Sequence, residues 1–167
     1  RYFERFGTLT PEISEFLRYC GKANISLACV GPTSSGKTTL LNAVAWEVDP
    51  DLRLILIQNP TEIMIYNRIE ETGANRRNVL HWEAQDLASE AAKDPTTPTT
   101  ANMIAHTLRN TPDVIVPGEV RTPQEFYQMN RALKTGHRVL TTWHALDGAD
   151  AIDRGSTELA TIGGSTS

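Results

Sequence analysis

Gly31-Pro32-Thr33-Ser34-Ser35-Gly36-Lys37-Thr38-Thr39 is the stretch that decides the fold of this chain. Glycine, four residues, glycine-lysine and a hydroxyl residue is the spacing of a phosphate-binding loop, the Walker A pattern. The flanks agree. ISLACV at 25–30 is a short apolar run suited to a buried strand, and Leu40, Leu41, Val44 and Val48 recur at helical spacing beyond the loop. Glycines let consecutive backbone N–H groups turn inward on a phosphate, and the helix N-terminus adds the positive end of its dipole. Lys37 is expected to reach the β- and γ-phosphates, with the Thr38 hydroxyl on Mg²⁺. The bland alternative is a Gly/Ser-rich turn before an ordinary helix. Having both a strand and a helix in place argues against it. The pattern points to nucleotide binding and leaves open what the energy is used for.

With 167 residues the chain is long enough for one domain with a real core. A net charge of −4 gives no global field that would favour nucleic acid or anionic lipid, so no direct nucleic-acid binding is expected. No run approaches the roughly 20 apolar residues of a membrane helix. RYFERFGTLT at 1–10 lacks the apolar centre of a signal peptide. The two cysteines, Cys20 and Cys29, fall in apolar patterns and read as small buried hydrophobes of a cytoplasmic protein.

Elsewhere, Thr10-Pro11-Glu12 opens a helix with an apolar stripe of Ile13, Phe16, Leu17 and Cys20, expected to stop at Gly21. LRLILI at 52–57 is a second buried strand, broken by Gln58-Asn59-Pro60. A weaker strand is expected at 79–82, a loop at 94–100 and a helix at 102–109, with Ala101, Ile104 and Leu108 on one face. A third strong strand lies at 114–116. Thr122-Pro123-Gln124-Glu125 is a capping box opening a helix with Phe126, Met129 and Leu133 on one side and Gly136 as its stop. A strand at 139–143 follows, then a helix capped by Asp147 and ending near Gly155, and a Gly/Ser/Thr-rich flexible tail at 156–167. Strands alternating with helices predict an α/β fold, a mostly parallel sheet flanked by helices, with the ligand at the carboxyl ends of the strands.

Two further segments carry chemistry. PDVIVPGEVR at 112–121 ends an apolar strand in Gly118-Glu119, which places a carboxylate beside the phosphates. Glu119 is expected to hold Mg²⁺ through water or to polarise the attacking water. A surface Glu in a turn is the plain alternative. Arg121 fits a phosphate contact, a neighbouring subunit or a surface ion pair equally. His137 and His144 stand at opposite ends of one strand, too far apart for a single metal, and could report nucleotide state. His81 and His106 read as structural.

Taken together, GPTSSGKTTLLNAVA, LILIQNPTEI, LRNTPDVIVPGEVR and TGHRVLTTWHA resemble, in order, the four motifs of the secretion-superfamily ATPases. These are the hexameric motors of type II secretion, type IV and tight-adherence pili, and type IV secretion or conjugation. The likeness runs from about Pro11 to Asp153, and Leu40-Leu41-Asn42-Ala43 after the loop is nearest the tight-adherence and conjugation branches. It implies a RecA-like P-loop NTPase motor domain, an Mg²⁺-dependent ATPase with ATP and Mg²⁺ held by residues 31–39. Glu119 would be the catalytic carboxylate, Glu62 the last carboxylate of the first acidic box, and His137 and His144 the sensor histidines. It also implies a hexameric ring of the full-length form, membrane-platform or secretion-channel partners, and a place at the cytoplasmic face of the inner membrane.

The sequence departs from that pattern. Gln58 and Asn59 stand where the first acidic box usually carries Glu-Asp, so a base is expected to be missing there. Pro117 precedes Gly118 unusually. The family's amino-terminal domain and its helices after the histidine box have no counterpart, so the chain reads as a single shortened motor core at 1–167. Such a core is expected to be largely monomeric and to hydrolyse slowly, and restoring Glu and Asp at 58 and 59 is expected to speed hydrolysis in the full-length assembly. A scaffold that binds ATP with little hydrolysis is the rival reading that these amides favour. A small-molecule phosphotransferase is a second, opposed by the lack of any acceptor-binding lid.

Overall fold

The computed structural model describes residues 2–65, 78–85 and 97–163. Parts of the expected 94–100 loop and of the expected tail, residues 94–96 and 164–167, lie outside them. In chain order the elements are α1 (Tyr2–Arg5), α2 (Pro11–Lys22), β1 (Leu27–Gly31), α3 (Lys37–Trp46), β2 (Leu54–Gln58) and β3 (Val79–Glu83). There follow α4 (Thr100–Thr107), β4 (Val114–Pro117), α5 (Pro123–Lys134), β5 (Arg138–His144) and α6 (Gly148–Gly163). The strands form one parallel sheet in the order β1-β5-β4-β2-β3. Among the described residues no helix is long and apolar enough to cross a membrane.

The sheet is covered on both faces, and its central strands β2 and β4 are fully buried and almost wholly apolar. In β2, Leu54 and Leu56 face one core with Val114, Val116, Leu140, Leu41 and Ala45. Ile55 and Ile57 face the other with Ile115, Val139, Phe126, Met129 and Ile104. All four β2 aliphatics are fully buried, each contributing about 1.5–3 kcal/mol of transfer free energy. A half-solvated strand would have alternated with polar residues. The helix after the loop, α3, covers the first face. Helices α4 and α5 cover the second, and α6 packs on α5.

The capping box of α5 forms as expected. Thr122 Oγ1 accepts from Glu125 N at 3.3 Å, and Glu125 Oε2 accepts from Thr122 N at 3.0 Å. The inward row of α5 is Phe126, Met129 and Ala132, whereas Leu133 is 39% exposed. Two helices depart from expectation. The α2 helix continues through Gly21 to Lys22, and Ile13 and Phe16 point outward. Ser14, Leu17 and Arg18 line the seam against Leu40, Ala43, Val44 and Glu47 instead. Gly21 sets this rotation. A Cβ there would lie 2.6 Å from Glu47 Cβ and 2.8 Å from the Val44 carbonyl oxygen, so the two helices meet through a glycine. The helix expected to end near Gly155 instead runs on to Gly163, so 156–163 is helical and Leu159 packs on the second core.

Candidate nucleotide site

The loop at 31–39 joins β1 to α3 at the carboxyl end of the sheet. Gly36 caps α3 in a left-handed conformation, φ +85°, with open space where a Cβ would be. Only the backbone angle, not crowding, calls for glycine there. Ser34 also sits at positive φ, 60°, which costs a residue with a Cβ about 1–2 kcal/mol. No side chain caps the first turn of α3, so its N–H groups remain available to an anion. Lys37 Nζ donates to the Pro32 carbonyl at 2.8 Å, which holds the ammonium inside the loop. Gly31 is the last residue of β1 and pairs with His144 of β5, so the base of the loop and the histidine lie side by side.

A cavity of about 460 Å³ opens above the loop. Residues 33–39 line it together with Glu62, Glu119, Arg121, Thr142 and His144. Glu119 lies two residues beyond β4, between Arg121 and His144. Its Oε2 accepts from Arg121 Nη2 at 2.5 Å, and its Oε1 lies 2.9 Å from His144 Nε2. Arg121 is thus an ion-pair partner within its own chain, one of the roles the sequence left open. Its backbone N–H donates to Glu125 Oε2 at 2.6 Å, so the capping box of α5 also fixes the turn that presents Glu119. Burial raises the Glu125 carboxyl above the ordinary glutamate range, against the opposing pull of those two N–H donors.

Of the expected site residues, 33–39, Glu62, Glu119, Arg121 and His144 converge, and Gly31 and Pro32 form the base of the loop. His137 does not join them. It precedes the seven-residue β5 at the opposite edge of the sheet, where its Nδ1 is 3.0 Å from Thr135 Oγ1. An extended strand of that length spans about 23 Å, so His137 and His144 cannot act on one bound molecule within one chain. Thr142 was not singled out by the sequence. It donates to the Gly118 carbonyl at 2.9 Å while its own carbonyl accepts from Val120 N at 2.9 Å, which staples β5 to the Glu119 turn. Its signal was period two, since it lies on the same strand face as His144.

The donor set suits a nucleotide–Mg²⁺ complex. Among the described residues no three His, Cys, Asp or Glu side chains cluster to hold a metal unaided. Mg²⁺ commonly takes one or two protein oxygens and completes its shell with phosphates and water. Thr38 and Glu119 lining one cavity meet that requirement.

A parallel sheet with a phosphate loop after β1, a second strand inserted between it and the Glu119 strand, and helices on both faces define a RecA-like P-loop NTPase. The chain belongs to the type II/IV secretion system protein family, whose profile matches residues 2–163. The HofB homolog of Haemophilus influenzae, a protein transport protein, is 28% identical over 153 residues, 91% of this chain and 29% of its own length. A twitching motility protein of Neisseria gonorrhoeae is 29% identical over 126 residues, 74% of this chain and 29% of its own. The VirB11 ATPase of the Brucella suis type IV secretion system, solved with sulphate, shares the fold with a TM-score of 0.69. Its identity is 24%, over 93% of this chain and 39% of that one. The pilus retraction motor PilT with bound ADP gives a TM-score of 0.62 at 25% identity, over 87% and 38%. The chain spans less than half the length of the curated relatives it matches.

Proposed function

We propose that this chain is the ATP-hydrolysing core of a motor that powers pilus assembly, protein secretion or conjugative transfer. The reaction is ATP plus water to ADP and phosphate. What supports this is the convergence of Lys37, Thr38, Glu62, Glu119 and His144 on one cavity at the carboxyl end of the sheet. Lys37 and the uncapped N–H groups of α3 hold the β- and γ-phosphate oxygens. Glu119 orients and polarises the attacking water, while Arg121 and His144 fix its two oxygens. Thr38 and, by way of water, Glu119 would hold Mg²⁺, which would neutralise phosphate charge there.

In this reading the protein works as a hexameric ring at the cytoplasmic face of the membrane, against platform or channel proteins. Arginine supplied by a neighbour is worth about 10³–10⁵ in rate in other phosphate-loop enzymes, so the chain alone hydrolyses slowly. Phosphate release from Mg²⁺-ATP is the test. Glu119→Gln should keep nucleotide affinity and lose about 10²-fold or more of the rate. Equal release from the variant and the unmodified protein would remove Glu119 from the chemistry.

A further inference from the structure

Gln58, the last residue of β2, is 3% exposed, and all its polar atoms are directed into its own chain. Its Oε1 accepts from Glu62 N at 3.1 Å and from Ile63 N at 2.7 Å. Its Nε2 donates to the Ile63 carbonyl at 3.1 Å. Two donors facing one atom and an acceptor facing the other fix the orientation of the amide. The bonds close residues 59–62 into a tight loop whose far end is pinned by Ile63 and Ile65, both fully buried. Glu62 is the residue of that loop that lines the nucleotide cavity.

We propose that Gln58 is a positioning residue for Glu62, and that its amide is a lock suited to this loop rather than the remnant of a lost base. The proposal rests on the nucleotide reading of the cavity for its functional half and on the hydrogen bonds alone for its structural half. A carboxylate at 58 could still accept from the two N–H groups. When ionised, its second oxygen would face the Ile63 carbonyl with no proton between them, in a place with almost no water to relieve it, and a carboxyl that kept its proton to bond that carbonyl would not be a base. The expectation that glutamate at 58 speeds hydrolysis is therefore reversed: the substitution unlatches the loop that presents Glu62.

Two variants separate the possibilities. Gln58→Glu keeps the acceptor and loses the donor, and Gln58→Met keeps the shape and loses both. Amide hydrogen exchange of the nucleotide-free protein reads the lock directly. In Gln58→Met, which removes the acceptor of both, the Glu62 and Ile63 amides should exchange about tenfold faster or more, with the β5 amides unchanged as the internal control for folding. ATP turnover of the assembled protein reads the consequence. Both variants should lose about tenfold in rate, and Gln58→Met combined with Glu62→Gln should lose no more than Glu62→Gln alone. Unchanged exchange at Glu62 and Ile63 in Gln58→Met overturns the lock. Turnover by Gln58→Glu as fast as the unmodified protein, or losses that add in full, overturns the positioning role. An unmodified protein that binds no ATP fails the nucleotide reading instead, and the exchange rates still decide the lock.

Discussion

Lys37 already lies within the loop, its ammonium on the Pro32 carbonyl, so binding a phosphate exchanges one acceptor for a charged one. Lys37→Ala should weaken Mg²⁺-ATP binding about tenfold or more, since a charge-assisted hydrogen bond is worth about 1.5–3 kcal/mol. Calorimetry checks this, and unchanged affinity would remove the loop from the binding site. Glu125 carries a second prediction at this scale. Its carboxyl is raised by burial, so the native state favours the protonated form more than the unfolded chain does. Both N–H donors bond Oε2, and Oε1 takes no part in the capping box. The contribution of this group to stability is therefore full in acid, below the ordinary glutamate range, and lost as pH rises through its raised value. Glu125→Gln keeps an acceptor oxygen and should flatten that decline, as read from urea unfolding midpoints across the acid-to-neutral range. Single residues were legible where the chemistry is local. Residues 31–39 and Glu119 announce themselves by spacing. Gln58 shows in the sequence only that no carboxylate stands there, and its partners at 62 and 63 become visible only once the loop is folded.

At the scale of an element, α2 shows why a stripe can mislead. Ile13, Phe16 and Leu17 have helical spacing, yet the helix turns Gly21 to its neighbour and leaves Ile13, Phe16 and Tyr19 exposed. Apolar periodicity says that a helix has a face. It does not say which neighbour comes closest, and here the absence of a Cβ decides. Gly21→Ala tests this with two opposing magnitudes. Alanine in a helix gains about 1 kcal/mol over glycine, and overpacking against Glu47 Cβ and a backbone carbonyl costs about 1–3 kcal/mol. The clash involves backbone, so the variant should unfold at lower denaturant. A higher midpoint would mean that the α2–α3 seam is looser than described. In contrast α5 was legible almost entirely, because capping box, proline and glycine stop are all local signals. The extension of α6 to Gly163 was not, since GSTELATIG has weak apolar content and gains its helix by resting Leu159 on the second core.

Across the whole molecule, parallel topology followed from the alternation of strands and helices, but strand order did not. Which strand sits between β1 and β4 depends on contacts far apart in sequence, and β5 takes that place. Arg138 opens it. This arginine is 2% exposed; its Nε donates to the Ile25 carbonyl at 2.8 Å, and its Nη2 donates to the carbonyls of Cys20 at 2.8 Å and Gly21 at 3.1 Å. It ties the last turn of α2 and the approach to β1 onto the centre of the sheet. Arg138→Met should lose about 3 kcal/mol or more in denaturant unfolding, because three carbonyls, those of Cys20 and Gly21 buried, lose a charged donor. Arg138→Lys should recover only part of it, since an ammonium cannot reproduce the fork. A loss of a few tenths of a kcal/mol for methionine would mean that water replaces the guanidinium. From Arg138 the strand runs to His144, clasped by β4 at its start and by β1 from Leu140 onward. An extended strand held along its flanks is a stiff rod. The residue that faces the Glu119 carboxylate and the residue that grips the end of α2 are therefore the two ends of one strand, about 20 Å apart.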